Sequence, residues 1–188
     1  SSQEPDLPLT TFLDLLRDHQ RFLLSGHENP DGDCLGSQLA LHRLLTAIGK
    51  EAVIINPDPI GKSFEFLSRH VEFGYHRGEG DLPPFDAVLL LDCSTLTRLG
   101  SLGRLLGETG RPVGVIDHHV GADDGDGRAY YVDTAAAATG VLVRRLFAEF
   151  DQPLDPVAAE GMFLALVSDT GWFRYSNTDG EVFAQASE

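Results

Sequence analysis

The 188-residue sequence has few cysteines, no long apolar run and no surplus of positive charge. No apolar stretch approaches the roughly 18 residues that a membrane-spanning helix requires, so we expect no contact with a membrane. Residues 1–9 contain acids and prolines where a secretory signal would have basic and then apolar residues. The two cysteines, Cys34 and Cys93, form neither a CxxC motif nor a zinc-ligand pattern, which predicts reduced thiols and a cytoplasmic location.

The charge balance limits the partners of the protein. There are 14 Lys and Arg residues against 29 Asp and Glu residues, so the net charge is −15. We therefore expect no broad electropositive surface for long duplex nucleic acid. Acidic side chains that hold divalent cations can still serve a phosphate-binding site, because bound cations reverse the local field.

Two fully apolar segments determine the predicted fold class. Residues 87–91 and 113–116 each lead into an aspartate, Asp92 and Asp117, and continuous apolarity is typical of parallel strands covered on both faces. Leucines at helical spacing over 96–106 predict a helix between them. The predicted class is α/β, with a mostly parallel sheet flanked by helices on both faces. Similar patterns predict strands at 22–26, 52–55 and 130–132, helices at 11–21, 33–48, 135–150 and 156–167, and a surface loop at Gly121–Gly127.

Chemically active side chains follow the ends of these strands. In an open parallel sheet, the carboxyl ends of the strands form the edge at which ligands bind. The segments that reach this edge are His27-Glu28-Asn29-Pro30-Asp31-Gly32-Asp33, Asp92, Asp117-His118-His119 and, from a helix end, Ser168-Asp169-Thr170-Gly171. A single aspartate at a strand end is most often a helix cap or turn residue, but capping does not explain a set of this size.

Carboxylates gathered in one cleft repel each other unless cations neutralise them. About four carboxylates and two imidazoles, without thiolates, suit two Mn²⁺ ions, or Fe²⁺, Co²⁺ or Mg²⁺. Two such ions about 3.5–4 Å apart can activate a shared water, which predicts hydrolysis of a phosphoester. Competing motifs fail, because Gly61-Lys62-Ser63 lacks the earlier glycine of a phosphate-binding loop and neither GxSxG nor GxGxxG occurs.

The four segments resemble the motifs of the DHH phosphoesterase superfamily. NPDGD at 29–33, followed by Leu35-Gly36-Ser37, and DTGWFRYSNT at 169–178 are similar to the nanoRNase/pAp-phosphatase, or oligoribonuclease-like, branch. The resemblance implies two ions that share Asp92 as a bridging ligand. Their implied ligands are His27, Asp31 and Asp92 for one ion, and Asp33, Asp92, His118 and Asp169 for the other.

The resemblance also implies roles for residues around the ions. His119 would donate a proton to the scissile phosphate or its leaving oxygen, and Asp117 would orient a histidine. Arg174 and Arg98 would contact phosphate through their guanidinium groups. Because adjacent residues at a strand end point in different directions, we do not expect His118 and His119 to bind the same ion.

Members of this branch carry a second, C-terminal DHHA1 domain that closes over the substrate. We expect residues 1–180 to form the DHH catalytic domain and residues 181–188 to begin a truncated helix or linker, with the DHHA1 domain absent from this sequence. Cys34 and Cys93, each directly after a predicted ligand, are expected to lie near the site without binding metal.

The implied substrates are short oligonucleotides, such as the linear dinucleotide pApA, and 3′-phosphoadenosine phosphate (PAP), each hydrolysed to mononucleotides. Two alternatives stay open at this point. One is the activity of an inorganic pyrophosphatase or of another DHH-family nuclease. The other is a metal-binding domain that is inactive without its lid domain.

Overall fold

The computed structural model describes residues 7–77, 80–121 and 127–188. At its centre is a six-stranded sheet in which every strand is parallel to its neighbours. The strands are β1 (Arg21–Ser25), β2 (Glu51–Asn56), β3 (Phe73–Tyr75), β4 (Ala87–Leu91), β5 (Val113–Asp117) and β6 (Ala129–Val132). The predicted α/β class with a parallel sheet is confirmed.

The strand order is β3-β2-β1-β4-β5-β6, so the chain begins in the middle of the sheet and extends it outwards twice. β2 and β3 extend one side of β1, and the chain then returns to place β4 on the other side. The direction of winding reverses between β1 and β4, where Leu24 is in register with Leu89. The connections diverge at such a reversal and leave a crevice at the carboxyl ends of the two strands.

Helices cover both faces of the sheet. The described residues form α1 (Leu7–Asp18), α2 (Gly32–Ala47), α3 (Gly100–Glu108), α4 (Thr139–Glu149), α5 (Pro156–Asp169) and α6 (Gly180–Ser187), with 3-10 helices at Lys62–Arg69 and Leu96–Leu99. Strand side chains alternate between the faces: Leu24 and Leu89 pack in the core with α1, α2, α4 and α5, whereas Leu23 and Val88 pack with α3. None of the described helices combines the length and apolarity that a bilayer crossing needs.

Two glycines bring α2 and α5 into backbone contact. A Cβ atom on Gly36 would overlap the carbonyl oxygen of Gly161, and a Cβ atom on Gly161 would overlap that of Gly36. Because neither position has a side chain, the helices cross closely. The crossing brings Asp33, in the first turn of α2, and Asp169, at the end of α5, to the same crevice.

Some helix boundaries differ from those predicted. The first helix occupies Leu7–Asp18 instead of 11–21, because Arg21 enters β1 and its guanidinium pairs with Asp86 at 2.7 Å. The helix predicted over 96–106 is divided at Gly100, whose φ of +57° lies in the left-handed region. The helix predicted from residue 135 begins at Thr139.

Two short elements of the structure were not predicted, and one predicted loop lies mostly outside the described residues. The 3-10 helix at Lys62–Arg69 and the three-residue strand β3 were not predicted, because both are too short to show a clear periodicity. Most of the predicted loop at Gly121–Gly127 lies outside the described residues. The segment 181–188 falls mostly within α6, which packs on the domain through the buried Val182 and an ion pair between Arg145 and Glu181 at 2.8 Å.

Candidate metal centre

The loop after β1 carries His27 and Asp31 into the crevice. Asp31 caps the N-terminus of α2, where its Oδ1 accepts the N–H of Cys34 at 3.0 Å. His27 Nδ1 bonds to the carbonyl oxygen of Glu28 at 2.8 Å, and this contact orients the ring. His27 Nε2 then lies 3.2 Å from Asp92 Oδ2 and 3.9 Å from Asp31 Oδ1. One ligand atom from each of His27, Asp31 and Asp92, here called the His27 group, lies within 4.8 Å of the others.

Asp92 directly follows β4 and has a φ of +59°, which few non-glycine residues adopt. This conformation turns the chain sharply at the strand end, and the side chain is almost fully buried. Its Oδ2 faces His27, whereas its Oδ1 accepts the hydroxyl of Thr139 at 3.2 Å and lies 3.6 Å from His118 Nε2. Asp92 therefore contacts both histidines, as a bridging ligand would.

A second group of potential ligands surrounds His118. His118 Nε2 lies 3.1 Å from Asp169 Oδ2 and 3.5 Å from Asp33 Oδ2. His118 Nδ1 bonds to the carbonyl oxygen of Ala136 at 3.2 Å, and this contact sets the orientation of the ring. Ligand atoms of Asp33, His118 and Asp169, here called the His118 group, also lie within 4.8 Å of one another.

Asp33 is fully buried and held by donors from two helices. The N–H groups of Thr139 and Gly140 donate to its two carboxylate oxygens at 2.7 and 3.1 Å, and the hydroxyl of Ser37 donates at 3.0 Å. Asp33 thus caps α4 from a distant part of the chain, which explains why that helix begins at Thr139. These donors were not among the predicted site residues. The run of small residues at 135–140 is the sequence feature that indicates a close approach of this segment to Asp33.

The crowded carboxylates shift the pKa values of the metal-free protein. Burial, with the charges of Asp92 and Asp169, raises the pKa of Asp33 well above its usual range. Burial also raises the pKa of Asp92, against the lowering effect of its bond to His27. That bond raises the pKa of His27. Burial lowers the pKa of His118, but its contact with Asp169 and the charges of Asp33 and Asp92 outweigh burial and raise it to about 9.

This donor set fits divalent cations. Carboxylate oxygens and imidazole nitrogens suit Mn²⁺ and similar ions. His118 Nε2 is buried and makes no hydrogen bond with a partner in the described residues, although three carboxylates lie within 3.6 Å of it. A cation between the ring nitrogen and the carboxylates would satisfy this atom and neutralise the surplus negative charge. The individual ligand assignments stay predictions.

Asp117 and His119 form a pair beside the two groups. Asp117 Oδ1 accepts the backbone N–H of His119 at 3.1 Å and lies 2.8 Å from His119 Nδ1. Asp117 is buried, whereas the side chain of His119 is 50% exposed.

The rings of His118 and His119 lie closer together than expected for successive residues whose side chains point in different directions. Their centroids are 4.4 Å apart, and His119 Nδ1 is 3.5 Å from Asp92 Oδ1, because the chain leaves the extended conformation after Asp117. Asp92, His118 and His119 therefore form a third possible ligand combination.

The structure does not bring the two predicted phosphate-binding arginines into these groups. Arg98 is exposed in the 3-10 helix at Leu96–Leu99, and its carbonyl oxygen accepts the N–H of Glu28 at 2.9 Å. Arg174 is also exposed, and its Nε donates to the carbonyl oxygen of Gly171 at 2.7 Å. Their contact with phosphate stays a prediction.

The two cysteines are free and fully buried. Burial raises the pKa of both thiols. Cys34 Sγ contacts the carbonyl oxygen of Leu91 at 3.8 Å. Among the described residues, neither thiol belongs to a group that could hold a metal ion. That they do not bind metal stays a prediction.

Solved structures of other proteins share this fold. An exopolyphosphatase-related protein from Bacteroides fragilis superposes with a TM-score of 0.82 and 23% identity, over 96% of this chain and 55% of that chain. RecJ from Thermus thermophilus, solved in complex with Mn²⁺, superposes with a TM-score of 0.51 and 23% identity, over 89% of this chain and 24% of that chain. Both similarities concern the fold alone.

Sequence comparison extends the similarity to a curated relative. A bifunctional oligoribonuclease and PAP phosphatase NrnA from Thermus thermophilus is 32% identical over 173 residues, which cover 88% of this chain and 48% of that protein. The chain spans about half the length of the curated NrnA relatives that it matches. The model of the "DHH family, N-terminal domain" matches residues 21–166. The chain therefore belongs to the DHH family, and the match covers the N-terminal domain of that family.

Proposed function

We propose that this chain hydrolyses phosphoester bonds in short oligonucleotides such as pApA, and in PAP, releasing mononucleotides. Its cofactors would be two divalent ions, with Mn²⁺ preferred to Mg²⁺. The observation that carries the proposal is that the His27 group and the His118 group meet at Asp92 on the carboxyl edge of the sheet. Membership of the DHH family supports a phosphoester substrate. The name of the NrnA relative supports short oligonucleotides and PAP as the substrates, and the Mn²⁺ complex of RecJ supports Mn²⁺ as the metal.

The protein supplies a negatively charged set of ligands that hydrogen bonds hold in fixed orientations. When bound, divalent ions neutralise the carboxylates and polarise both water and phosphoryl oxygens. Hydrogen bonds from Thr139, Gly140 and Ser37 already fix both oxygens of Asp33, so this carboxylate does not need to reorganise when a cation binds. The carbonyl oxygens that fix His27 and His118 do the same for the two imidazoles.

His119 is the proposed general acid. Its Nδ1 lies 2.8 Å from a carboxylate oxygen of Asp117, which can only accept a hydrogen bond when ionised. With the ring proton of Nδ1 directed at this carboxylate, Nε2 would be the atom that faces the substrate. The half-exposed ring is accessible to a leaving oxygen, which Nε2–H would protonate.

A second domain would complete the substrate site. We propose that residues 1–180 act as the catalytic domain and that residues 181–188 lead towards a C-terminal DHHA1 domain, because the NrnA relatives are about twice as long. The exposed Arg98 and Arg174 would then contact substrate phosphates in the closed form. The free cysteines Cys34 and Cys93 support action in the cytoplasm.

The test compares three substrates in Mn²⁺ and in a chelator. AMP release from pApA, phosphate release from PAP and phosphate release from pyrophosphate are measured. The chain is assayed alone and fused to the C-terminal half of the Thermus thermophilus relative. The proposal expects Mn²⁺-dependent turnover of pApA and PAP, at least in the fusion, with loss of both activities in Asp92→Ala.

The alternatives give different results. Turnover of pyrophosphate without turnover of pApA or PAP would indicate a pyrophosphatase. Binding of two ions without turnover of any substrate, in both forms, would indicate a metal-binding domain and would contradict the proposed activity.

A further inference from the structure

Two buried amide side chains pair with each other beside the His27 group. Gln38 Nε2 donates to Asn56 Oδ1 at 2.8 Å, and Asn56 Nδ2 donates to Gln38 Oε1 at 2.9 Å. Asn56 Oδ1 also accepts the backbone N–H of Gly26 at 3.1 Å. Both side chains are fully buried. Gln38, Asn56 and the Gly26 N–H, here called the amide network, link the middle of α2 with the carboxyl ends of β2 and β1.

The network depends on the absence of a side chain at Gly26. A Cβ atom at this position would overlap Cys34 Sγ and would lie 3.0 Å from both Gln38 Nε2 and the carbonyl oxygen of Leu91. Gln38 Nε2 also lies 3.4 Å from Cys34 Sγ, and Cys34 Sγ contacts the carbonyl oxygen of Leu91 at 3.8 Å. The first turns of α2 are therefore packed directly against the ends of β1 and β4.

Each of these contacts is adjacent to one member of the His27 group: Gly26 precedes His27, Leu91 precedes Asp92, and Cys34 donates its N–H to Asp31. A fully paired amide network in a buried site resists displacement, because moving one member leaves other polar groups unsatisfied. Two members of the His118 group have further contacts elsewhere: Asp33 accepts N–H groups of α4 in addition to the Ser37 hydroxyl of α2, and His118 contacts the carbonyl oxygen of Ala136.

We propose that Gln38 and Asn56 are positioning residues that set the spacing of the His27 group, and through it the affinity of one of the two ions. The other ion, at the His118 group, should depend on them less, because α4 and the carbonyl oxygen of Ala136 hold Asp33 and His118 separately. This inference rests on the proposed function only in requiring that two divalent ions bind.

The test measures Mn²⁺ binding to the chelator-treated full chain by calorimetry. Asn56→Leu removes the acceptor of the Gly26 N–H, whereas Gln38→Met keeps that acceptor and removes its partner amide. His27→Ala and Asp169→Ala identify which binding event belongs to which group. We expect Asn56→Leu to lower, by about 10- to 100-fold, the affinity for the ion whose binding is also affected by His27→Ala. This is the usual effect of removing a group that orients a ligand. Gln38→Met should act in the same direction and less strongly.

Electron paramagnetic resonance supplies a second readout that does not depend on activity. Two neighbouring Mn²⁺ ions give a spin-coupled spectrum, and a single ion gives an isolated one. At two equivalents of Mn²⁺, chosen to saturate the wild-type protein, Asn56→Leu should shift the spectrum towards the isolated form.

Leu44→Ala is the matched control, because Leu44 is fully buried in α2 but packs in the apolar core. It should lower the unfolding temperature and leave both Mn²⁺ affinities unchanged. Wild-type affinities in both amide variants would overturn the positioning role, and equal weakening of both ions would overturn its selectivity. If Asn56→Leu does not fold, Gln38→Met decides between these outcomes. A wild-type protein that binds fewer than two ions would instead refute the two-ion centre itself.

Discussion

Removal of the Asp92 carboxylate should abolish the stabilisation that divalent ions give to the fold. Asp92 lies between the two groups, 3.2 Å from His27 and 3.6 Å from His118, so both ions would lose a ligand together. For this measurement of stability, Asp92→Gly is a better variant than Asp92→Ala. The φ of +59° suits glycine, whereas a larger residue there can add about 1–2 kcal/mol of backbone strain.

The size of the effect follows from linkage between binding and folding. An ion that binds only the folded state stabilises it by about 2.7 kcal/mol at 100 times its dissociation constant, so two ions contribute about 5.4 kcal/mol. In a domain of this size, 1 kcal/mol shifts the unfolding temperature by about 2–4 °C. We therefore expect Mn²⁺ to raise the unfolding temperature of the wild-type protein by roughly 11–22 °C, and that of Asp92→Gly by almost nothing.

The assay is thermal unfolding followed by circular dichroism, in Mn²⁺ and in EDTA. Asp86→Ala is the matched control, because Asp86 precedes β4 as Asp92 follows it, and pairs with Arg21 far from the crevice. This variant should unfold at a lower temperature but keep the full Mn²⁺ shift. If Asp92→Gly kept half or more of the wild-type shift, the bridging position of Asp92 would be refuted.

Three further predictions concern the same centre. In a turnover assay, His119→Ala should bind both ions and lose about 10²- to 10⁴-fold in rate, whereas His118→Ala should bind Mn²⁺ more weakly; the reverse pattern would show that their roles are exchanged. The double variant Cys34→Ser, Cys93→Ser should keep the Mn²⁺ stoichiometry by elemental analysis, and loss of one ion would identify a thiolate ligand. In denaturant titrations of the metal-free protein, the free energy of unfolding should fall from about pH 6.5 to about pH 9. The reason is that the neighbouring carboxylates raise the pKa of His118 from its usual 6.5 to about 9, so over this range the folded state keeps a proton that the unfolded state releases, and this advantage is lost as the pH rises to about 9. A profile that stayed flat or rose over this range would contradict it, and saturation with Mn²⁺ should remove the decline.

The sheet and the approximate position of the site could be predicted because both follow from local patterns. Continuous apolar runs that end in Asp92 and Asp117 indicate buried parallel strands and the edge at which their side chains meet. The helices that carry the site were harder to define at their ends. Thr139 begins α4 because Asp33, 106 positions earlier in the chain, accepts its N–H. No local window of the sequence contains both residues.

The contacts that orient the predicted ligands could not be predicted for a related reason. Gln38 and Asn56 are ordinary polar residues in the sequence, and only the packing of α2 against the ends of β1 and β2 pairs them in the interior. The close approach of the His118 and His119 rings likewise depends on how the chain turns after β5. Strand periodicity carries no information about that turn.

The most direct test of the two-ion centre is anomalous X-ray scattering at the manganese edge from crystals grown with Mn²⁺. Our expectation is two anomalous peaks per chain, about 3.5–4 Å apart, one at the His27 group and one at the His118 group, with Asp92 in contact with both. A single peak, or two peaks of which one makes no contact with Asp92, would contradict it.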